Sequence, residues 1–181
     1  ARSNQEYEYA LVPVIGNAEG NLNINSIYSE FEGIYLVEKN LGYGSAIETS
    51  ISTQKNRPTT VVNTLGRRTP YVITNGKNNY YSGQVSAIYV NQNPDTCEME
   101  TESGWQYREA IMEFLCDGKP KILKSDDGRI WMVNVVGSPS ESENPHPLYP
   151  TTTFEWVEIG DIESSTMLYE NNFIDVNVEG S

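Results

Sequence analysis

The sequence predicts a mainly β protein with one helix, and three observations lead to that class. Tyrosine occurs 12 times and glycine 14 times in 181 residues, beside many Asn, Ser and Thr, a composition typical of strands joined by turns. Several segments alternate between apolar and polar residues, whereas one segment has clear helical spacing. The length corresponds to one domain, or one domain with an appended arm, and suffices to bury a core without disulfides or metals.

Six segments ahead of the helix are predicted as strands. Pro13 would place the first of them at a sheet edge or end it early. In the last of them Val85, Ala87 and Tyr89 lie on one face. The dipeptide Asn75-Gly76, which is favoured in tight hairpin turns, follows the fifth. The six segments are 6–15, 31–39, 46–53, 59–65, 70–74 and 80–90.

The helix is predicted over residues 104–117. Ser103 is a suitable N-cap, and Gln106 stands at the capping-box position. Gly118 would end the helix, and Pro120 would prevent its continuation. Four apolar residues share one face, which should lie on a sheet: Tyr107, Ile111, Phe114 and Leu115.

A hairpin follows the helix, with strands predicted at 121–124 and 130–136. Asp126 and Asp127 lie in its turn and are followed by Gly128. Paired aspartates can hold a metal or act as an acid–base pair, but Asp-Asp-Gly between two strands is ordinary turn chemistry. We therefore expect a structural role for both.

Two polar segments are predicted as loops, 16–25 because it is rich in Asn and Gly, and 137–150 because it contains four prolines. Residues 151–159 alternate clearly and predict a strand with Phe154 and Trp156 on one face.

The chain divides into a β domain, 1–160, and an acidic C-terminal arm, 161–181. The arm has no basic residue, yet it contains apolar residues that a disordered tail would not need. Such a segment is expected to dock its apolar side chains and keep its charges outward. The docking surface is either its own domain or an adjacent subunit, and both alternatives stay open. The apolar residues are Leu168, Tyr169, Phe173 and Ile174.

The net charge of −13 argues against a protein that grips nucleic acid, because that task needs Lys and Arg to neutralise phosphates. The nine acidic residues from 130 onward have no basic residue among them, which indicates a solvated face, or a surface that repels phosphate or meets a basic partner. Four basic residues cluster earlier. We expect them to contact acidic surfaces of a neighbouring subunit. The alternative is that they are scattered, solvated charges. The four residues are Lys55, Arg57, Arg67 and Arg68.

No pattern in the sequence predicts a catalytic residue, a cofactor or a metal. Cys97 lies before the helix and Cys116 near its end, so the helix would hold them about 20 Å apart, beyond disulfide reach. With one histidine and no Cys-x-x-Cys, a zinc site is not expected, and His146 is interpreted as a loop residue. Residues 1–8 do not resemble a signal peptide, and no apolar stretch of about 18 residues predicts a membrane span.

The stretch from Gly66 to Gly160 contains a series of motifs, and it covers just over half of the chain. This order of strands, one helix and a hairpin resembles the tail structural proteins encoded by phages of Gram-positive hosts and by tail-derived particles, in particular distal tail and tail-tube proteins. The motifs are Gly-Arg-Arg-Thr-Pro-Tyr-Val-Ile at 66–73, Tyr-Tyr-Ser-Gly-Gln-Val-Ser at 80–86, the helix with Phe114-Leu115, Gly-Lys-Pro-Lys-Ile-Leu-Lys at 118–124, Asp-Gly-Arg-Ile-Trp at 127–131 and Phe-Glu-Trp-Val-Glu-Ile-Gly at 154–160.

The resemblance implies a β-sandwich or barrel of the tail-tube or distal-tail type, flanked by one helix, with extended loops and the C-terminal arm. It implies a virion tail or baseplate component, made in the host cytoplasm, that forms a homo-oligomeric ring, a hexamer by resemblance. DNA would traverse the ring without specific binding, other tail proteins would contact it, and neither a membrane nor catalysis would be involved. The four basic and four apolar residues named above are the candidate subunit-interface residues.

Two alternatives to a tail protein are compatible with the sequence. A carbohydrate-binding β-sandwich module would use Tyr and Trp to stack on the sugar rings of cell-envelope glycans. A hydrolase would have only scattered carboxylates in its favour.

Overall fold

A seven-stranded antiparallel sheet forms the body of the protein in this computed structural model, which describes residues 1–74, 78–91, 104–143 and 149–175. The mainly β class is confirmed, and a second, short helix lies in the C-terminal arm. The strands are β1 (Gln5–Leu11), β2 (Val14–Ile15), β3 (Ala18–Glu19), β4 (Asn23–Ser29), β5 (Ile34–Val37), β6 (Gly42–Ser45), β7 (Ile47–Asn56), β8 (Thr59–Val62), β9 (Tyr71–Thr74), β10 (Tyr80–Ile88), β11 (Lys121–Ser125), β12 (Ile130–Ser142) and β13 (Thr151–Gly160), and the helices are α1 (Gly104–Cys116) and α2 (Ser165–Glu170).

The strand order of the sheet, β6-β5-β11-β12-β13-β10-β7, places two successive strands at opposite edges. Only Ala46 separates β6 from β7, and consecutive Cα atoms are about 3.8 Å apart, so the two edges must meet at this corner. Ser45 secures the corner, because its Oγ donates to the Ile88 carbonyl oxygen at 2.5 Å and accepts the Ile47 N–H at 3.1 Å. The sheet is thus rolled without closing its hydrogen-bond ladder, a shape between a sandwich and a barrel.

One core fills the rolled sheet, and every strand of the sheet contributes a residue to it. Side chains point inward at alternate positions, as predicted for Val85 and Ala87 on β10, for Tyr89 just after it, and for Phe154 and Trp156 on β13. Residues from both edge strands can pack into one cluster only because the sheet curls around it.

Two tryptophans and one glycine shape the middle of the core. The ring centroids of Trp131 and Trp156 lie 5.1 Å apart. Gly83 pairs with Trp156 across the β10–β13 ladder, and a Cβ atom at Gly83 would stand 1.9 Å from the Ser52 carbonyl oxygen of β7. Any side chain there would push the strands apart, so this close approach requires glycine.

Helix α1 covers the core with the face that its sequence predicts. Three of the four predicted residues, Ile111, Phe114 and Leu115, are buried, and Tyr107 packs against them. Gly118 has a φ of +73° just beyond the helix, as a C-terminal stop requires. The predicted N-cap, Ser103, lies outside the described residues. Neither described helix is long and apolar enough to cross a membrane.

The predicted hairpin is present as β11 and β12, and both aspartates serve its turn. Asp127 Oδ1 accepts the Arg129 N–H at 3.0 Å, and Asp126 Oδ2 accepts the Gly33 N–H at 3.3 Å. The turn interpretation of this pair is therefore confirmed.

Three local predictions were wrong or fall outside the described part. Strand β3 and the start of β4 lie inside the predicted loop 16–25, and β12 continues past Gly137, through a bulge, into the predicted loop 137–150. Both extensions are polar, and backbone ladders, not side-chain alternation, make them strands. A hairpin at Asn75-Gly76 would pair β9 with β10, but β9 pairs with β8, so that prediction was wrong. Four residues of the sequence analysis lie outside the described residues: Asn75, Gly76, Cys97 and His146. Cys116 is exposed.

The C-terminal arm starts with helix α2, which is capped at both ends. Ser164 Oγ accepts the Met167 N–H at 3.3 Å at the N-terminus. At the C-terminus Asn172 has a φ of +64°, and the next N–H, that of Phe173, donates to the Leu168 carbonyl oxygen at 2.9 Å. This Schellman arrangement brings the chain at Phe173 back toward Leu168.

Candidate assembly surface

A two-stranded ribbon of β1 and β4, with the small β2–β3 hairpin at its tip, projects from the body. Seven residue pairs join the strands, from Gln5 and Ser29 at the base to Leu11 and Asn23. Along both strands only Tyr7 and Ser29 are even partly buried, and no third strand extends this ribbon in the described part of the chain. Isolated two-stranded ribbons are marginally stable in water, so this one is suited to contact a partner.

One face of the ribbon carries Glu6 and Glu8 together with Tyr28 and Ile24, and the other carries Tyr9 and Leu11, so exposed apolar residues lie on both faces. Directly opposed residues share a face, so Tyr9 and Leu11 lie on the same side as Tyr7 and its partner Ile27. Leu11 is 69% exposed and Ile27 is 57% exposed. Glu6 lies on the other side, with Glu8. Residues 5–29 contain three acidic residues (Glu6, Glu8 and Glu19) and no basic one, so we call β1 to β4 the acidic ribbon.

A second ribbon consists of β8 and β9. It continues the β7–β10 pair outward, since Asn56 and Tyr80 end that ladder and Thr59 and Thr74 begin the next. Its apolar side chains face solvent: Val61 57%, Leu65 106%, Tyr71 48%, Val72 64% and Ile73 53% exposed. Exposed apolar residues this close together are typical of an interaction surface.

The four basic residues predicted to lie at an interface belong to this second ribbon or its base, and the structure exposes all four. Lys55 Nζ lies 5.1 Å from the Tyr81 ring centroid, and the Arg67 guanidinium lies 4.3 Å from the Tyr71 ring centroid. Among the described residues, no ion pair involves Lys55, Arg57, Arg67 or Arg68. Residues 49–94 contain five basic residues and no acidic one, so we call 55–74 the basic ribbon.

The four apolar residues predicted at an interface lie in the arm. Leu168, Phe173 and Ile174 are partly buried, and Tyr169 is 47% exposed. Within the chain itself, Met167 Sδ accepts the Asp161 N–H at 3.1 Å. Two ion pairs also tie the arm to the domain: Arg2 with Glu163 at 2.7 Å, and Lys39 with Asp175.

A fully buried lysine, Lys121, links the end of α1 to the sheet. Its Nζ lies 2.5 Å from Asp117 Oδ1, 2.7 Å from Glu38 Oε1 and 4.2 Å from the centroid of the Phe114 ring. Burial acts to raise the pKa of Asp117, but the hydrogen bonds from Lys121 and from the Lys119 backbone outweigh it and lower that pKa to about 2. Because every charge in this group has an oppositely charged partner, we interpret the group as a structural contact between α1 and the sheet.

The described residues contain no group of His, Cys, Asp and Glu arranged to hold a metal ion. An open cleft of about 540 Å³ lies between the start of β10 and the base of the arm. One of its carboxylates, Glu158, is already engaged, since its Oε2 accepts the Tyr81 N–H at 2.7 Å. Trp131 and Trp156 are 6% and 0% exposed, so neither is available to stack on a sugar ring, whereas Trp105 is 59% exposed.

The sequence analysis identified the cluster of basic residues but not the acidic ribbon. It assigned the acidic surface to residues after 130, because nine acidic residues are concentrated there. The overlooked signal is the absence of Lys and Arg between Arg2 and Lys39.

No protein-family model matches the chain, and no curated protein matches it. Solved structures do. A chain from the tail of an empty gene transfer agent particle, refined with helical and C6 symmetry, is 19% identical with a TM-score of 0.37, and the match covers 72% of this chain and 92% of that one. A chain from the virion of a native gene transfer agent particle is 16% identical with a TM-score of 0.37, covering 71% and 92% respectively. Likenesses of this degree transfer no function to the chain.

Proposed function

We propose that this chain is a structural subunit of a phage tail or tail-like particle, of the distal tail or tail-tube kind, with Gram-positive hosts by resemblance. It forms a homo-oligomeric ring, a hexamer by the same resemblance, and contacts other tail or baseplate proteins in the virion. The observation that carries the proposal is the pair of projecting ribbons, whose apolar residues face solvent in the single chain.

The energetics of the ribbons favour assembly. Covering one exposed Val, Leu or Ile side chain stabilises a complex by about 1.5–3 kcal/mol at most. The two ribbons together expose enough such side chains to offset the entropy lost when subunits associate. The ribbons expose these apolar residues and do not pack on the core of their own chain. This arrangement favours contact with neighbouring subunits, which would bury the exposed side chains.

The charge of the chain suits a ring through which DNA passes. With a net charge of −13, the protein as a whole repels phosphate, so DNA would traverse the channel without being held. Such a role needs no catalytic residue, cofactor or metal.

The mass of the purified full chain tests this function. Native mass spectrometry, sedimentation and negative-stain electron microscopy should reveal a closed ring of identical copies. A chain that stays monomeric at every concentration, including after addition of its tail-protein neighbours, would overturn the proposal. Glycan-array binding by that monomer would favour a carbohydrate-binding module instead.

A further inference from the structure

We propose that the acidic ribbon of one copy docks on the basic ribbon of the next copy, and that this head-to-tail contact holds the ring together. The inference rests on the proposed function and names the surfaces that carry it. The partner of each ribbon is therefore a second copy of this chain.

Charge complementarity is the first argument. Residues 5–29 contain three acidic and no basic side chains, while residues 55–74 contain four basic side chains and lie within a stretch, 49–94, that has no acidic one. This segregation occurs within a chain whose net charge is −13, where a stretch of 46 residues without a carboxylate requires an explanation. Opposite charges on two surfaces steer them together and set their register.

The position of the ribbons is the second argument. Asn4 Nδ2, at the base of the acidic ribbon, donates to the Asp126 carbonyl oxygen in the β11–β12 turn at 3.0 Å. Arg129, at the end of the same turn, donates from Nη1 to Thr53 Oγ1 at 3.3 Å, in the part of β7 that leads to the basic ribbon. Both ribbons thus leave the same end of the rolled sheet. Copies placed side by side at one level would bring unlike ribbons together.

The third argument is that the two ribbons do not pair with each other within one chain. The two ribbons belong to different sheets, and no ladder joins them in the part of the chain that the structure describes. Each also presents exposed apolar side chains beside its charges: Ile24 and Tyr28 share the face of Glu6 and Glu8, and Arg67 lies over the ring of Tyr71. A contact between them would bury apolar surface and pair charge at once.

The geometry of such a contact fits a ring. It uses different surfaces on the two partners, so every added copy presents one unfilled ribbon of each kind until the assembly closes. A two-fold dimer with reciprocal ribbon contacts would pair unlike charges as well, so the mass of the assembly distinguishes a ring from a dimer.

The experiment reverses the charge of one ribbon at a time in the full chain. The variant Glu6→Lys/Glu8→Lys makes both ribbons net basic, and Arg67→Glu/Arg68→Glu makes the outer part of the basic ribbon acidic while Lys55 and Arg57 at its base stay basic. Each alone should require at least about tenfold more protein for half-assembly at low salt. An equimolar mixture of the two should assemble again to within about threefold of wild type, because alternating copies restore every unlike contact.

Controls separate folding, charge and function. The variant Glu109→Lys/Glu113→Lys changes the same charge at exposed sites on α1, outside both ribbons, and should assemble as wild type does. Circular dichroism and the melting temperature should match wild type for all three variants. A wild-type chain that forms no ring would defeat the proposed function itself. A wild-type ring that both reversal variants also form would overturn only this inference.

Two further outcomes would also overturn it. If each variant fails alone and their mixture fails too, the ribbons meet other partners. If Arg67→Glu/Arg68→Glu assembles normally but loses binding to a labelled DNA duplex, as read by fluorescence anisotropy, the basic ribbon contacts nucleic acid instead.

Discussion

In the rolled sheet, Leu36, Val85 and Leu123 are at most 1% exposed, whereas Leu11 of the acidic ribbon and Val72 of the basic ribbon are 69% and 64% exposed. Both regions consist of paired antiparallel strands. The difference is that seven strands can curl around a shared interior and take a helix as cover, while two strands have no interior. The core of the single chain therefore stabilises the body, whereas the ribbons would gain stability from the contacts with neighbours that we propose.

The largest expected effect is on the stability of the body. Phe114→Ala removes a ring that is buried between α1, Tyr43 and Lys121, and should lower the free energy of unfolding by about 3–5 kcal/mol. Urea titration followed by circular dichroism measures it. An unchanged transition midpoint would show that α1 does not hold the core together.

The next effect concerns the arm, which belongs neither to the body nor to the ribbons. Deleting residues 161–181 should leave a folded domain that is less stable by about 1–3 kcal/mol, since its apolar side chains are only partly buried. We expect its ring or stack to assemble poorly, as sedimentation would show. Unfolding of the shortened chain would place the arm in the domain core, and normal assembly would deny it an assembly role.

A smaller effect depends on pH and sharpens the description of the body. The pKa of Asp117 is lowered from 3.8 to about 2 in the folded state, so its paired carboxylate stabilises the fold above pH 4 and this contribution is lost as the pH falls toward 2. Asp117→Asn should therefore be less stable than wild type at neutral pH, and the difference should shrink below pH 4. Urea midpoints at several pH values measure it. A difference that does not change with pH would mean that the charge of Asp117 is irrelevant.

The smallest effect on stability tests the ribbons directly. Leu65→Ala truncates a side chain that is 106% exposed and should change the free energy of unfolding by no more than about 0.5 kcal/mol. The matched variant Leu123→Ala, at a site that is 0% exposed, should cost about 2–5 kcal/mol. Leu65→Ala should nevertheless weaken assembly, as native mass spectrometry would show. Equal stability losses in the two variants would erase the distinction between ribbon and body.

Features that depend on near neighbours in the chain were predictable. The helix boundaries, its buried face and the Gly118 stop follow from side chains within a few residues, and so do the Asp126–Asp127 turn and the alternation on β10 and β13. The candidate surface was half predictable. Its basic residues stand out in the sequence, but their acidic counterpart is recognised only when β1 and β4 are seen as an uncovered pair.

The sequence by itself determined the local structure and the charge of each segment; only the tertiary structure decided which strands are inside. Ile34–Val37, Ile-Tyr-Leu-Val, and Tyr71–Thr74, Tyr-Val-Ile-Thr, are nearly the same kind of strand to any reader of the sequence. The first lies between β6 and β11 with two of its residues buried, whereas the second pairs only with β8 and every residue is exposed. Burial depends on which distant segments come to lie against a strand, here β11 some 85 residues further along, and that information is not present in the strand's own residues.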